Sequence, residues 1–386
     1  MTFVCPYCFE KLDMKSAWCK CKKCGEEAPP KIRRGKMYCA NCGTEVMQRM
    51  CGQGSSNNHR GCGKELPYGI DQSSDFTIAV VGPKGVGKTQ YIAMLIRTLQ
   101  TKFAAEFGTS LSSATEFTTK KQKYNIQKLF LEDEVVPETD SIATSDSADA
   151  SRSVGEPYIY YLRKSKQFGG VKCITLVFYD TAGEDLKDSA TITSKIGAYL
   201  GNADGIIYLA DPLQLDYVRK HLDPSLYPKV KEQDITEVLN RISRIIRQYK
   251  GLRNDQKIPA KLAVVLTKSD VLTKPENNQS QDDRFCFKQL EQKRKVGLVD
   301  VGYLDAVSSE IGNFLENATG SEFTSAVSTD YPDHHYFLVT ALGQNPEKLP
   351  STDARIKLTS KPEPKNVEDP LIWILYATKS GIVGEK

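Results

Sequence analysis

The 386-residue chain has 40% hydrophobic and 26% charged residues and a formal net charge of +4, values that are ordinary for a soluble globular protein. No apolar run approaches the ~20 residues of a membrane-spanning helix, and the N-terminal stretch MTFVCPYCFEKLD lacks an apolar segment of signal-peptide length. The composition argues against a membrane protein, and we expect a cytoplasmic protein of one to three domains.

The cysteines concentrate near the N-terminus, where nine of the 11 lie within the first 62 residues. Because CxxC pairs on a cytoplasmic chain indicate metal rather than disulfides, we predict a double zinc-ribbon module over residues 1–70. Its few apolar residues cannot form a core of their own, so its folding is expected to depend on the metal.

The knuckle spacing predicts two tetrahedral zinc sites. CPYC and CKKC lie 12 residues apart and suit one site, while CANC supplies half of a second site that two later cysteines complete. Cys19 is an alternative to Cys21, and His59 is a rival ligand. The predicted ligands are Cys5, Cys8, Cys21 and Cys24 in the first site and Cys39, Cys42, Cys51 and Cys62 in the second.

The predicted module is basic, with 12 Lys and Arg against 5 Asp and Glu in residues 1–64. Two four-thiolate zinc sites would each add −2 and reduce its charge to about +3. Cations and aromatic side chains around the knuckles permit nucleic-acid binding, although a solvated charged face is the plainer interpretation. These residues are Lys20, Lys22, Lys23, Lys31, Arg33, Arg34 and Lys36, with Tyr7, Trp18 and Tyr38.

Residues 71–386 are predicted to form an α/β domain with a mostly parallel central sheet. Apolar runs rich in β-branched and aromatic residues predict strands that are buried on both faces. They cover residues 76–82, 157–163, 173–180, 205–211, 261–267 and 335–341. Helical periodicity is clearest over 92–103 and 235–249, and DPLIWIL within 366–386 predicts a C-terminal helix packed on the sheet.

The stretch GPKGVGKT (82–89) matches the phosphate-loop pattern G-x-x-x-x-G-K-[ST], directly after the first predicted strand and before a helix. Its glycines allow backbone N–H groups to surround phosphates, and the helix N-terminus adds partial positive charge. Lys88 is expected to reach the β- and γ-phosphates, and Thr89 to ligate Mg²⁺. The predicted nucleotide contacts are Lys84, Gly85, Val86, Gly87, Lys88, Thr89 and Gln90.

The stretch FYDTAGED (178–185) ends another predicted strand in a carboxylate. Ligands of α/β domains bind at the carboxyl edge of the sheet, so Asp180 is placed to hold Mg²⁺ and the Gly183 N–H to meet the γ-phosphate. A strand-end aspartate alone often forms only a turn, but its position after a phosphate loop favours the metal-binding interpretation.

The stretch VVLTKSD (264–270) favours guanine as the base. Asp270 can accept from both N1–H and the exocyclic amine of guanine, whereas adenine would leave this carboxylate unpaired at a cost of ~1–3 kcal/mol or more. The stem of Lys268, next to Thr267, can lie over the base plane. After the last predicted strand, the Ala341 N–H can donate to guanine O6, with Leu342 beside it.

The stretches GPKGVGKT, DTAGE, TKSD and TAL, in that order, resemble the G1, G3, G4 and G5 motifs of Ras-like, translation-factor-class P-loop GTPases. This resemblance covers residues 76–345 and implies a GTP-hydrolysing switch that binds GTP or GDP with Mg²⁺. Zinc ribbons ahead of an expanded GTPase domain, PETD in the long switch region and DPLIWIL are similar to the bacterial double-GTPase family. That similarity implies a protein effector or a second GTPase, in anti-phage or other conflict systems.

The switch region departs from the small Ras-like pattern in its length. Lys88 and Asp180 are 92 residues apart, so this region is enlarged, and the polar residues 139–153 are expected to be mobile as switch I. The family needs a threonine there that completes Mg²⁺ coordination and senses the γ-phosphate. Thr139 is our choice for this ligand, and Thr144 is the rival.

Glu184 stands where small Ras-like GTPases carry a water-orienting glutamine. A carboxylate at this position can act on the attacking water but lies near phosphate charge, so we expect slow hydrolysis until a partner completes the site. The alternative function is a zinc-ribbon adaptor for nucleic acid or protein, in which the nucleotide is mainly structural.

Overall fold

The structure of the chain, a computed structural model, describes most of both predicted parts. The described residues are 2–13, 18–34, 36–52, 61–137, 156–166, 169–180, 195–224, 234–273, 287, 297–348 and 356–385. Within them, a cysteine-rich N-terminal part precedes a mixed α/β part with a mainly parallel central sheet, which confirms the predicted fold class.

Short strands form the cysteine-rich part. They are β1 (Thr2–Val4), β2 (Lys11–Asp13), β3 (Trp18–Lys20), β4 (Glu27–Ala28), β5 (Lys31–Arg33), β6 (Lys36–Tyr38), β7 (Arg49–Met50) and β8 (Glu65–Leu66). β1 pairs with β2 and β5 with β6, while β4, β3, β7 and β8 make a small antiparallel sheet in that order. Because β3 pairs with β7, the chain between them leaves this sheet and returns to it.

A central sheet forms the frame of the larger part. Its strands are β9 (Ser74–Val81), β10 (Thr109–Ser113), β11 (Tyr158–Ser165), β12 (Val171–Asp180), β13 (Gly205–Ala210) and β14 (Lys261–Leu266), followed after β15 (Leu298–Val299) by β16 (His334–Leu338). Their order across the sheet is β10-β11-β12-β9-β13-β14-β16. The pairs that contain β11 are antiparallel, and the pairs from β12 to β16 are parallel.

The edge strand β10 is not among the predicted strands, whereas each predicted apolar run lies on one of the other strands of this sheet. Its sequence, TSLSS, contains a single leucine, so it has no apolar pattern to detect. An edge strand pairs on one side and needs less apolar surface. β10 belongs to the enlarged region between Lys88 and Asp180 and widens the sheet there.

Helices cover both faces of the sheet. They are α1 (Lys88–Gln100), α2 (Lys102–Phe107), α3 (Glu116–Ile126), α4 (Lys195–Gly201), α5 (Asp216–Arg219), α6 (Ile235–Lys250), α7 (Asp270–Thr273), α8 (Val301–Thr319), α9 (Ser321–Asp330) and α10 (Asp369–Ala377). One apolar core joins the sheet to α1 and α10, and the other joins it to α4, α6 and α9. None of these helices combines the length and apolar character needed to cross a bilayer.

The C-terminal helix α10 lies close against β13. Ile374 of α10 is fully buried, and a Cβ added to Gly205 at the start of β13 would lie 2.4 Å from its Cγ2 atom. That distance is well inside van der Waals contact, so the helix can approach the sheet only because residue 205 has no side chain. Two short pairs complete the described strands: β15 with β19 (Gly384–Glu385), next to α10, and β17 (Glu347–Lys348) with β18 (Ile356–Lys357).

Gly205→Ala is expected to lower the free energy of unfolding by ~1–3 kcal/mol, because its methyl group overpacks the α10 contact. Urea unfolding followed by circular dichroism measures the change. Gly302→Ala in α8 is the matched control, since its nearest neighbouring atom is 3.9 Å away and alanine favours a helix. Equal destabilisation by the two substitutions would contradict the packing described here.

Candidate functional site

The phosphate-loop residues form a tight turn between β9 and α1. Gly87 has a φ of +87°, which favours glycine. Gly82 must also lack a side chain, because a Cβ there would lie 2.2 Å from the Leu209 carbonyl oxygen of the neighbouring strand. The buried Lys88 ammonium lies inside the curve of the loop and donates to the carbonyl oxygens of Gly82, at 3.0 Å, and Pro83, at 2.8 Å.

Neighbouring elements hold the middle of this loop. The Gln214 Nε2 group donates to the Lys84 carbonyl oxygen at 3.3 Å, and the Lys268 ammonium donates to the Gly85 carbonyl oxygen at 3.2 Å. The Val86 side chain is buried in the core on the α1 face of the sheet. The loop is therefore held by the segments that follow β13 and β14, on one side of β9 in the sheet.

A hydroxyl and a carboxylate meet beside the loop. The Thr89 Oγ1 hydroxyl, in the first turn of α1, donates to Asp180 Oδ2 at 2.9 Å. The two groups meet because β12 runs parallel to β9 with Asp180 opposite Val80, so both chain segments reach the same edge of the sheet. Hydroxyl and carboxylate oxygens are ligands that Mg²⁺ accepts, so this donor set fits the predicted cation.

An ion pair joins two strand ends near the loop. Lys268, with a φ of +50°, places its ammonium 2.5 Å from Asp211 Oδ2. Asp211 is fully buried, and its Oδ1 atom accepts from the Leu213 backbone N–H at 2.9 Å. Asp211 is not among the predicted site residues, although GIIYLAD ends an apolar strand in a carboxylate, as FYD does.

The predicted base-reading carboxylate has one side-chain partner that the sequence does not reveal. Asp270 is buried, and its Oδ1 atom accepts from the Thr340 hydroxyl at 2.6 Å. The Thr340 Oγ1 atom also accepts from the Gly343 backbone N–H at 3.1 Å, which holds the turn after β16. Ala341 and Leu342 in that turn are partly buried.

The other predicted site residues are distributed as follows. Thr267 is buried, with its backbone N–H donating to the Ala210 carbonyl oxygen at 2.8 Å. The Gln90 Nε2 group donates to the Val136 carbonyl oxygen at 2.7 Å, which ties α1 to the chain that leads toward residue 139. The predicted residues Thr139, Gly183 and Glu184, the rival Thr144 and the segment 139–153 lie outside the described residues.

Eight thiols form two four-cysteine clusters, and in each cluster the sulfur atoms lie within 4.8 Å of one another. We call one the proximal site, because it lies nearer the sheet, and the other the distal site. The proximal site contains Cys5, Cys8, Cys51 and Cys62, and the distal site contains Cys21, Cys24, Cys39 and Cys42. All eight predicted ligands take part, but the predicted pairing of consecutive knuckles is wrong.

The topology of the small sheet explains the actual pairing. Pairing between β3 and β7 returns the chain to its starting sheet, so the distal site is nested within the sequence of the proximal one. CxxC spacing defines each knuckle but not which knuckles meet. Cys19 lies outside both clusters, with its thiol 3.7 Å from the Met37 sulfur atom, and His59 lies outside the described residues.

The thiol geometry fits tetrahedral zinc. Zn–S bonds of about 2.3 Å place tetrahedral sulfur atoms about 3.8 Å apart. The sulfur–sulfur distances are 3.8 Å for Cys5–Cys62, 3.5 Å for Cys8–Cys51, 3.6 Å for Cys21–Cys42 and 3.6 Å for Cys24–Cys39. The Thr44 hydroxyl and backbone lower the pKa of the Cys42 thiol to about 6, which favours the thiolate that binds metal.

Comparison with known proteins gives a family for the α/β part and a relative of the chain. Residues 77–293 match the family model described as "Double-GTPase 2". The chain is also 28% identical over 213 residues to a protein of Mycolicibacterium smegmatis named "Putative ESX-1 scaffolding and assembly protein SaeC". This match covers 55% of the chain and 50% of the relative, so the chain spans about half the length of the curated relative it matches.

The nested zinc pairing predicts how double substitutions change zinc content. Cys8→Ser with Cys51→Ser is expected to remove only proximal zinc, whereas Cys8→Ser with Cys24→Ser removes zinc from both sites. Elemental analysis of the purified variants measures the zinc bound per chain. If consecutive knuckles were paired, Cys8→Ser with Cys51→Ser would remove zinc from both sites and Cys8→Ser with Cys24→Ser from one site only. That result would contradict the structure.

Asp211→Asn is expected to lower the free energy of unfolding by ~1.5–3 kcal/mol, because it weakens the charge-assisted hydrogen bond that the buried Asp211 accepts from Lys268. Glu116→Gln provides the matched control, since it breaks an exposed ion pair with Lys120 worth at most ~0.5 kcal/mol. Urea unfolding of the two variants tests the difference. A loss of stability from Asp211→Asn no larger than that of the control would show that the Lys268 pair contributes little.

Proposed function

The chain belongs to the Double-GTPase 2 family, and on that premise we propose that it binds and hydrolyses GTP as a molecular switch. The observation that carries this proposal is the contact between the Thr89 hydroxyl and the Asp180 carboxylate beside a phosphate loop. The end of β14 supports it, because Lys268 contacts the loop and Asp270 lies beside it at the same edge of the sheet. One edge of the sheet therefore offers groups for phosphates, a cation and a base.

We assign base selection to Asp270. Its carboxylate is held by the Thr340 hydroxyl at 2.6 Å and keeps acceptor capacity for the N1–H and exocyclic amine of guanine. The ion pair with Asp211 holds Lys268 so that its stem can lie along one face of the base. Adenine lacks the matching donors, and this difference is the source of the expected selectivity.

We assign phosphate and cation binding to the loop and its two neighbours. Backbone N–H groups of residues 84–90 and the Lys88 ammonium would bind phosphate oxygens. Thr89 and Asp180 would hold Mg²⁺, which when bound neutralises phosphate charge. Thr139 and the Gly183 N–H are proposed to complete the site around the γ-phosphate on the basis of sequence.

Hydrolysis is proposed to be slow in the isolated protein. Glu184 follows the DTAG stretch and presents a carboxylate, whose charge repels the phosphates that the attacking water must approach. A partner protein would then accelerate turnover by completing the site. The GTP-bound state and the GDP-bound state would differ in how they hold the switch region.

The nucleotide state is proposed to control a protein partner. The similarity to a protein named for scaffolding and assembly supports a protein partner. A second GTPase is the partner that the family resemblance implies. We also propose that the protein works in the cytoplasm, where reducing conditions keep eight zinc-binding thiols reduced and GTP is available. A role in bacterial defence is a proposal that rests on the family resemblance alone.

A second candidate function is nucleic-acid binding by the N-terminal part. The observation that favours it is the β5–β6 hairpin, where Arg33, Arg34, Lys36 and Tyr38 line one open groove. Guanidinium groups and an aromatic ring suit phosphates and bases.

Salt-dependent binding of single-stranded DNA or RNA that is lost on Arg33→Ala with Arg34→Ala would support this function, whereas no binding at low salt would exclude it.

The switch proposal predicts protease protection that depends on the nucleotide. A non-hydrolysable GTP analogue with Mg²⁺ is expected to protect residues 139–153 from cleavage, whereas GDP is not, because the γ-phosphate would order this segment. Mass spectrometry of limited digests locates the cleavage sites.

Thr139→Ala should abolish that protection, and Thr144→Ala is the matched control that should retain it. If protection were lost only in the Thr144 variant, Thr144 rather than Thr139 would be the proposed Mg²⁺ ligand. Identical cleavage of the unmodified protein with both nucleotides would contradict the switch.

A further inference from the structure

The proximal zinc site touches the strand that ends in Asp180. The hydroxyl of Tyr179, the residue before Asp180, donates to the Pro6 carbonyl oxygen at 2.7 Å. Pro6 lies in the CPYC knuckle, between the ligands Cys5 and Cys8, and Tyr179 is buried. One hydrogen bond therefore links the metal-binding knuckle to the strand end that carries the proposed magnesium ligand.

The knuckle also inserts an aromatic ring into the core of the α/β part. Phe9, which follows Cys8, is buried in the core on the α4 face, with its ring centroid 6.0 Å from that of Tyr179 and 6.2 Å from that of Tyr199. Its φ of +62° and its N–H bond to the Cys5 carbonyl oxygen, at 2.9 Å, belong to the turn that forms the knuckle. The position of this ring therefore depends on the fold of the knuckle.

Tyr199 extends the contact into the sheet. It lies on α4, and its hydroxyl donates to the Ile78 carbonyl oxygen at 2.5 Å and accepts from the backbone N–H groups of Val80 and Tyr179 at 3.1 and 3.2 Å. This hydroxyl lies between β9, which leads into the phosphate loop, and β12, which ends at Asp180. The aromatic cluster of Phe9, Tyr179 and Tyr199 thus contacts both strands on which the proposed cation site depends.

We propose that Tyr179 is a positioning residue through which the proximal zinc site fixes the Asp180 carboxylate beside Thr89. Successive side chains of a strand point to opposite faces, so Tyr179 is held on the knuckle side while Asp180 faces α1. Fixing the tyrosine limits rotation of the strand end and hence the position of the neighbouring carboxylate. This inference rests on the proposed function, because it assigns a regulator to the same cation site.

The distal site is separate from this contact. Its cysteines Cys21 and Cys39 pack with Met37 and Val46 in a different apolar cluster, whereas Phe9 belongs to the core of the sheet. The base-reading residue Asp270 follows β14 and is held by Thr340 after β16, and β9 and β13 separate β14 from β12 in the sheet. Loss of the proximal contact should therefore affect magnesium binding but not the choice of base.

Other contacts keep the N-terminal part docked when the Tyr179 hydroxyl is removed. The Val4 N–H donates to Asp75 Oδ2 at 2.8 Å, and Arg49 forms a largely buried ion pair with Asp71 at 3.1 Å. The Tyr161 hydroxyl donates to the Tyr68 carbonyl oxygen at 2.7 Å. Tyr161 lies on β11 and makes the same kind of bond as Tyr179, but away from Asp180, so it provides a matched control.

The test compares the GDP affinity of each variant with and without Mg²⁺, in buffers free of chelators so that zinc is retained. Tyr179→Phe is expected to reduce the affinity gained from Mg²⁺ about fivefold, which corresponds to one neutral hydrogen bond. Its affinity without Mg²⁺ and its preference for GDP over ADP should be unchanged. Tyr161→Phe should leave all three quantities unchanged.

Zinc-site variants extend the test. Cys8→Ser, in the proximal site, is expected to reduce the gain from Mg²⁺ at least as much as Tyr179→Phe, whereas Cys24→Ser, in the distal site, leaves it unchanged. An unchanged gain in the Tyr179 variant, or equal losses in the two tyrosine variants, would overturn the inference while GDP binding itself remained. Absence of guanine-nucleotide binding by the unmodified protein would instead overturn the proposed function, and this inference with it.

Discussion

The hydrogen bond from the Thr89 hydroxyl to the Asp180 carboxylate is the contact on which the candidate site depends. It requires β9 and β12 to lie side by side and parallel, so that a helix start and a strand end reach the same point. It also requires the loop between β9 and α1 to pass close to β13, which only glycine at position 82 allows. The sheet therefore acts as a frame that brings distant sequence segments to one edge.

The charged side chains at this edge have protein partners: carbonyl oxygens of the loop or an oppositely charged side chain. Lys88 is buried among carbonyl oxygens of the loop, and Lys268 bridges the Gly85 carbonyl oxygen and the buried Asp211. Desolvated charges of this kind are costly unless their partners are well placed, so the local backbone must be rigid. Such rigidity suits the proposed site, which would distinguish nucleotides differing by one phosphate or a few polar atoms.

The sequence predicted what local pattern controls, namely the buried strands, the glycine-rich turn between β9 and α1 and the cysteines that form the two clusters. It did not predict β10, because the edge strand TSLSS carries no apolar pattern. The zinc pairing was wrong because knuckle spacing is local, whereas the partner of each knuckle is decided by pairing between β3 and β7. Asp211 and Thr340 lie in the stretches GIIYLAD and TAL, but the sequence does not show that they hold Lys268 and Asp270, because these contacts join separate strand ends.

The central claim is that one carboxylate, Asp270, selects guanine while Lys88, Thr89 and Asp180 hold the phosphates and their cation. Titration calorimetry of the full chain with GTP and ATP, each in the presence of Mg²⁺, tests this claim most directly. The account predicts binding of GTP and at least about 100-fold weaker binding of ATP, because adenine leaves the carboxylate unpaired. Equal affinities for the two nucleotides, or binding of neither, would contradict it.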